Sequence, residues 1–391
     1  MMKDVVIIGG GPAGVTASLL FSKKGKTVSL ITDKWTLLFS SGCFDIFIPP
    51  DENPSTPKEA ISSLFRNHPE HVLSRITKRK EEVLWEGMEV LSSLYPFFTL
   101  LKEGEIFPHY ISDMGNTKKS WGGLKWIATK EHFENLEEKF LVLPSDFLGR
   151  KAKFVKEIIK RWTDLDFQLV EIKSRLESYY DSLNNPELKS SIISSIMDKE
   201  TNFLLPPLFC GDYGKLKSAK ELLPTFESLN GLWMKDIILE TIIKSGVEII
   251  EEKVVDLQIK NGKALSTLTD KGREVRGDIF VISTGKFLGG GMRFSEEKIK
   301  DWMGKFLTTS TASKEHSALL SNPHLTHSQG IFSIGIKIDE KMRIYADEKR
   351  KMDNLFACGM IISNVDPFSW SMGWGFSALS AYILSKNIYE R

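Results

Sequence analysis

Asp4 to Gly14 reads DVVIIGGGPAG, and its two halves ask for different backbones. Val5, Val6, Ile7 and Ile8 form an unbroken apolar run, the pattern of a strand buried on both faces of a parallel sheet. Gly9, Gly11 and Gly14 then satisfy G-x-G-x-x-G, and Ala13, Val15, Ala17, Leu19 and Leu20 continue as a helix that Gly25 can end. In such a unit Gly9 permits the tight turn, Gly11 lets backbone approach a pyrophosphate, and Gly14 lets the helix pack on the strand. The helix N-terminus, with Pro12 and Ala13 in its first turn, offers free N–H groups to the phosphate charge. The expected ligand is a dinucleotide. A second strand is expected over Thr27 to Thr32. Asp33 then falls about one residue past the place where an acid hydrogen-bonds an adenosine ribose, so either Asp33 acts from the loop or the adenosine half is held differently or is absent.

The 391 residues suit two or three domains, and 41% hydrophobic residues suffice for a sizeable core. With 52 Lys+Arg against 51 Asp+Glu there is no bulk field to attract nucleic acid, so no nucleic-acid partner is expected. No apolar run reaches about 18 residues, and the chain enters the nucleotide motif at once, leaving no room for a signal peptide; a cytoplasmic location is expected. Cys43, Cys210 and Cys358 are too scattered for a zinc site or an iron–sulfur cluster, which assigns any cluster to a partner.

After the second strand, Leu37 to Pro50 reads LLFSSGCFDIFIPP. Ser40, Ser41 and Gly42 form a small hydroxyl-rich turn that can present hydroxyls and amides to a flavin or its phosphate, or can be an ordinary ST-turn. Pro49, Pro50, Pro54 and Pro57 mark a boundary, and Pro57 to about Phe98 has helical spacing. Ile106 to Ile127 suits strands bordering a cleft, where Lys118 and Lys119 are either solvated or hold an anionic substrate. Farther on, Phe140 to Leu143 reads as a strand, Lys151 to Trp162 as a helix, Phe167 to Val170 as a strand, Ile172 to Leu183 and Leu188 to Met197 as helices, and Leu204 to Gly211 as a loop. The pairs His68/His71 and His324/His327 lack a third metal ligand.

Leu232 to Lys244 reads as a helix, followed by strands over Val247 to Glu251, Val254 to Ile259 and Ala264 to Leu268, with Asn261-Gly262 as a type I′ hairpin turn. Asp278 to Ile282 is a further buried strand, ending in the turn Ser283-Thr284-Gly285. Gly289, Gly290 and Gly291 then allow either a hinge or close approach to a cofactor. Finally Leu355 to Cys358 reads as a strand with Gly359 as its turn, and Gly373-Trp374-Gly375-Phe376 opens a helix whose N–H groups and positive dipole end suit the electron-rich edge of a reduced flavin.

The nucleotide loop, the LLFSSGCFDI segment, Gly115-Asn116-Thr117 through Trp121, the VISTG turn and the NLFACG…DP…GWG order resemble the B subunit of anaerobic glycerol-3-phosphate dehydrogenase. The resemblance runs end to end and is loosest between about 130 and 220. It implies a flavin subunit, described with FMN, of a three-subunit complex that oxidises sn-glycerol 3-phosphate to dihydroxyacetone phosphate. The partners it implies are a catalytic flavoprotein subunit and an iron–sulfur subunit that anchors the complex at the cytoplasmic membrane and passes electrons to quinone. Met360 stands where broader two-domain flavoproteins carry an acid, and Trp370 and Trp374 make the C-terminal loop bulkier than the family's glycine-rich form.

These readings combine into an α/β, two-domain flavoprotein: a discontinuous Rossmann-like flavin domain from about 1–48, 231–290 and 350–391, and a cap or substrate domain from 49–230 and 291–349. The expected cofactor contacts are Gly9, Gly11, Pro12, Ala13, Gly14, Asp33, Ser40, Ser41, Gly42, Thr284, Gly285, Gly359, Gly373, Trp374, Gly375 and Phe376. The dinucleotide motif favours FAD and the resemblance FMN. No metal site is expected, and no residue is assigned as proton acceptor, His109 and His316 being the conceivable ones. The alternatives are a non-catalytic electron-relay or scaffolding subunit, or an oxidoreductase of the same fold acting on another substrate.

Overall fold

The computed structural model describes residues 2–50, 52–179, 185–197, 202–214, 216, 218–224, 229–294, 299–306, 308 and 330–389; His316, His324 and His327 lie outside them. β1 (Lys3–Ile8) passes through Gly9 to Gly11 into α1 (Pro12–Lys23), and β2 (Val28–Ile31) follows. Farther along come α2 (Glu81–Leu94), α3 (Leu229–Lys244), β3 (Glu248–Ile250), β4 (Val254–Lys260), β5 (Lys263–Thr269), β6 (Glu274–Ile282), β7 (Lys351–Ala357) and α4 (Trp374–Tyr389).

The main sheet has the parallel order β3-β2-β1-β6-β7, with the short strand Arg343–Tyr345 antiparallel on the far side of β7. Val5, Val6 and Ile7 in β1 are wholly buried, as a strand covered on both faces must be. β6 has nine residues and serves two neighbours along the same edge. Its first residues, Glu274 to Arg276, pair antiparallel with β5, while Phe280 to Ile282 pairs parallel with β7. The meander of β4, β5 and β6 therefore feeds directly into the central sheet. Asn261 and Gly262, at φ of 52° and 78°, join β4 to β5 with both turn residues left-handed, as a type I′ turn requires.

α1 is buried from Ala13 to Phe21 and α4 from Trp374 to Ser385, because the two helices pack on each other as well as on their neighbours. Phe21 meets Tyr389 edge to face at 5.7 Å, and Lys24 donates to the Ser385 carbonyl at 3.3 Å. α2 lies against α4 at Gly87, where an added Cβ would stand 2.8 Å from the Tyr382 ring. Apolar side chains from Ala60 to Leu124 thus join the same core as the nucleotide loop. A second core gathers around a five-stranded sheet in which Lys139–Phe147 runs parallel to both Gln168–Leu176 and Asn202–Leu205.

That second sheet corrects two expectations. Ile172 to Leu183 is not a helix at its start, since the strand continues to Leu176, with Val170 opposite Val142 and Ile172 opposite Pro144. The loop expected from Leu204 begins inside the strand Asn202–Leu205, whose place beside Lys139–Phe147 is set by pairing across some 60 residues of chain.

Candidate functional site

The first turn after β1 is held by backbone contacts that only glycine tolerates. Gly9 has φ +119°, and a Cβ there would stand 2.6 Å from the Ser283 carbonyl; the Gly9 N–H donates to Ile31 at 2.9 Å. A Cβ on Gly14 would overlap the Gly9 carbonyl oxygen and stand 2.7 Å from Ser283 Oγ. Gly10 donates to Thr32 Oγ1 at 3.0 Å, tying the loop to the end of β2. Gly11 precedes α1 with no side chain capping the first helical turn and Pro12 opening it, so the helix start is left to an external acceptor.

Above this loop lies a cleft, open to solvent and lined by Gly9 to Gly11, Ile31 to Lys34, Thr36, Glu252 to Val254, Thr284, Gly289, Gly290 and Trp302. An anionic group fits here: N–H groups at a helix start, the Thr36 hydroxyl 2.6 Å from where a Gly11 Cβ would be, and no acid in the first turn. Asp33 lines the cleft with an exposed side chain, two residues beyond the end of β2, while Thr32 is buried and bonded to Gly10 and Lys34. Thr284 also lines it. Gly285, at φ +69°, and Gly289 to Gly291 fold back on the Thr284 turn. Gly359, at φ +78°, packs on Ala13, where its Cβ would stand 2.6 Å from the Ala13 methyl.

A second group assembles around Asp45 rather than on the cleft. The Asp45 carbonyl accepts the N–H groups of Gly373 at 2.9 Å and Phe376 at 2.8 Å, so part of the dipole end of α4 is already capped. Gly375 touches the same segment, and Trp374 is buried against Tyr95 and Phe98, each ring 5.8 Å away. Ser40 and Ser41 accept from the N–H groups two residues ahead at 3.4 Å each, as ST-turns do. Gly42, at φ +102°, bonds through its carbonyl to Leu124. The expected residues therefore divide. Gly9, Gly11, Asp33 and Thr284 share the cleft, Ser41 and Gly42 lie against Asn230 and Leu124, Gly373 to Phe376 lie against Asp45, and Ala13 and Gly359 meet between α1 and the turn after β7.

One carboxylate–ammonium pair and one buried lysine are not marked by any sequence pattern. Asp45 Oδ2 accepts from Lys118 Nζ at 2.6 Å. Burial opposes the charge on Lys118, but the adjacent Asp45 carboxylate outweighs it and the ammonium is held above its ordinary range. An acid inside the apolar run Phe44 to Phe47 is the signal that could have found Asp45. Lys286 is enclosed beside the Thr284 turn and donates to the Phe332 and Val365 carbonyls; burial lowers it to about 7, partly offset by Asp366. No pattern in STGK marks that lysine as buried. His109 is engaged elsewhere, its Nδ1 2.6 Å from Glu131. Lys119 donates to Asn53 at 2.5 Å and to the Pro54 carbonyl. Among the described residues there is no cluster of three or more metal ligands.

A family model described as an FAD binding domain matches residues 4–154, and one described as glucose inhibited division protein A matches 232–338. Curated relatives include the B subunit of anaerobic glycerol-3-phosphate dehydrogenase from Vibrio cholerae serotype O1 (strain M66-2), 22% identical over 98% of this chain and 95% of that protein. Those of Aliivibrio fischeri (strain ATCC 700601 / ES114), at 23% over 100% and 96%, and Yersinia pestis bv. Antiqua (strain Antiqua), at 24% over 99% and 98%, carry the same name. Solved structures that align include the GidA-related protein from Thermus thermophilus, 10% identical with a TM-score of 0.34 over 100% of this chain and 99% of that one. Glycine oxidase from Bacillus cereus ATCC 14579 aligns at 13% identity and a TM-score of 0.35 over 99% and 95%. With its parallel nucleotide sheet, the two family matches and these curated relatives, the chain is a two-domain α/β flavoprotein, similar over nearly its whole length to proteins named as the B subunit of anaerobic glycerol-3-phosphate dehydrogenase.

Proposed function

We propose that the chain is a flavin-containing subunit of a dehydrogenase that oxidises sn-glycerol 3-phosphate to dihydroxyacetone phosphate and passes electrons to quinone. The observation that carries this reading is the uncapped start of α1 opening onto the Gly9–Gly11 cleft, in a chain similar over nearly its whole length to curated relatives named as that enzyme's B subunit. FAD is favoured over FMN because the cleft extends past the phosphate-binding turn along Ile31 to Lys34 and Glu252 to Val254, ground that an adenosine half covers. Bound flavin supplies a two-electron acceptor. With Gly9 making the turn, Gly11 and the first turn of α1 would hold its phosphates, and Thr36 and Thr284 would offer hydroxyls.

The rest of the electron path belongs to other chains. No described helix is long and apolar enough to cross a membrane, and the described residues build no cluster site. The proposed assembly joins this chain to a catalytic flavoprotein subunit and to an iron–sulfur subunit that anchors it peripherally at the cytoplasmic membrane. A second reading, in which this chain only relays electrons, is favoured by the Asp45 carbonyl already occupying two N–H groups at the start of α4.

Mass spectrometry of the cofactor released by heat from purified protein tests the first step: FAD is expected, and a colourless protein after reconstitution with FAD and with FMN refutes it. Anaerobic mixing with glycerol 3-phosphate then separates the two readings. Bleaching of the bound flavin supports the dehydrogenase. Bleaching by dithionite alone supports the relay.

A further inference from the structure

Two features meet at the start of α4 that the nucleotide cleft does not use. The first is the 16-residue helix itself, whose N–H groups at Gly373 and Phe376 are held by the Asp45 carbonyl. The second is the Asp45 side chain, 7% exposed, with Oδ2 committed to Lys118 and Oδ1 buried without a hydrogen-bond partner among the described residues. A buried carboxylate oxygen left unpaired forfeits more than a hydrogen bond contributes, so Oδ1 is an acceptor that a hydroxyl brought to Lys118 can satisfy.

Lys118 supplies the other half. Its ammonium carries three protons and directs one to Asp45, while its side chain is 40% exposed, so the pair connects a buried carboxylate to the surface. Lys286 differs: it is 8% exposed and bonded to the Phe332 and Val365 backbone carbonyls, so it is closed to a ligand. α4 approaches Asp45 closely, so that a Cβ at Gly373 would stand 3.2 Å from Asp45 Oδ2.

An oxygen acceptor beside an ammonium donor is the complement of an alcohol: the carboxylate takes the O–H hydrogen, and the ammonium donates to the hydroxyl oxygen. A phosphate is a poorer match, because Asp45 neutralises Lys118 and Oδ1 repels an oxyanion. We propose that Asp45 and Lys118 form a hydroxyl-binding subsite, which for the substrate class proposed above takes the secondary alcohol of a polyol phosphate. This rests on the substrate reading of the preceding section.

Titration calorimetry on the flavin-loaded protein with sn-glycerol 3-phosphate and with 3-hydroxypropyl phosphate, which lacks the secondary hydroxyl, reads the subsite without turnover. The wild type should bind glycerol 3-phosphate roughly tenfold more tightly, because the analogue leaves Asp45 Oδ1 unpaired. In Lys118→Met and Asp45→Asn that preference should shrink to about twofold or less, with thermal unfolding showing that each variant is folded. Asp45→Asn keeps the backbone carbonyl that caps α4, and Lys118→Met, at a half-exposed side chain, provides an independent test. Equal affinities in the wild type, or a tenfold preference that survives in folded Lys118→Met, overturn the subsite. Binding of neither phosphate by protein that carries flavin overturns both the subsite and the substrate reading, and leaves flavin binding intact.

Discussion

Gly14→Ala tests the joint between α1 and β1. In a helix, alanine is intrinsically better than glycine by about 1 kcal/mol. Here the added methyl overlaps the Gly9 carbonyl oxygen and lies 2.7 Å from Ser283 Oγ, where contact distances of roughly 3.5 Å are needed. The Gly9 obstacle is backbone, at φ +119° and hydrogen-bonded to Ile31, so no rotamer change relieves it. The helix must withdraw by about an ångström, and overpacking of this kind costs about 1–3 kcal/mol. Because α1 is buried on every side from Ala13 to Phe21, the shift disturbs its packing against α4 as well, and we expect a net loss near the top of that range. At about 2–4 °C per kcal/mol for a domain of this size, the unfolding midpoint should fall by roughly 5–10 °C. Calorimetry of the flavin-free protein reads the stability, and visible absorbance after reconstitution reads the cofactor, which should be largely lost. Gly25→Ala is the comparison: φ is +74° but nothing lies within 4 Å, so it should cost about 1 kcal/mol of strain and leave flavin binding alone. A Gly14→Ala protein within about 1–2 °C of wild type that carries normal flavin would refute the steric argument.

Three further outcomes follow from buried groups. His71 is 7% exposed against Trp370, and burial, helped by the charge of His68, lowers it to about 3 from 6.5. The unfolded chain then binds the extra proton, so the stability His71 contributes is present above pH 6.5 and is lost as pH falls toward 3, by about 2 kcal/mol at pH 5. His71→Asn retains a helix-capping acceptor for the Leu73 N–H, and its urea midpoint should fall less than that of wild type between about pH 7 and 5; equal falls would contradict the assignment. Glu221, wholly buried, is raised by burial to about 7 from 4.5 despite the N–H groups of Phe209 and Gly211. Its contribution has the opposite sign: it is present below pH 4.5 and is lost as pH rises through 7, by about 3 kcal/mol in all. Glu221→Gln should flatten the loss between about pH 5 and 7.5, and an unchanged slope counts against it. Finally, burial pushes the Cys43 and Cys358 thiols up to about 12, so both should resist a thiol reagent at about pH 7.5 until the protein is unfolded; rapid labelling of either in the native protein would show that it is not enclosed.

The sequence by itself determined the elements whose cause is local. An unbroken run of β-branched residues followed by glycines spaced for a turn allows little besides β1, the loop and α1. Asn261-Gly262 specifies its hairpin because both residues must be left-handed. The cleft was legible for the same reason, since Gly9, Gly11 and Asp33 belong to one continuous strand–turn–helix–strand unit. What depended on distant partners was decided only in the tertiary structure. Gln168–Leu176 is a strand because Lys139–Phe147 lies beside it, and its own apolar spacing does not exclude a helix. Ser40 to Gly42 and Gly373 to Phe376 were each read as facing a cofactor. Folding brings the second of these to Asp45, whose backbone carbonyl caps the helix across more than 300 residues of chain. Asp45 with Lys118, and Lys286 with the Phe332 and Val365 carbonyls, carry no motif at all. A charge stays buried only where a partner from another part of the chain compensates it, and that partner is chosen by packing, which leaves no periodic trace in the sequence.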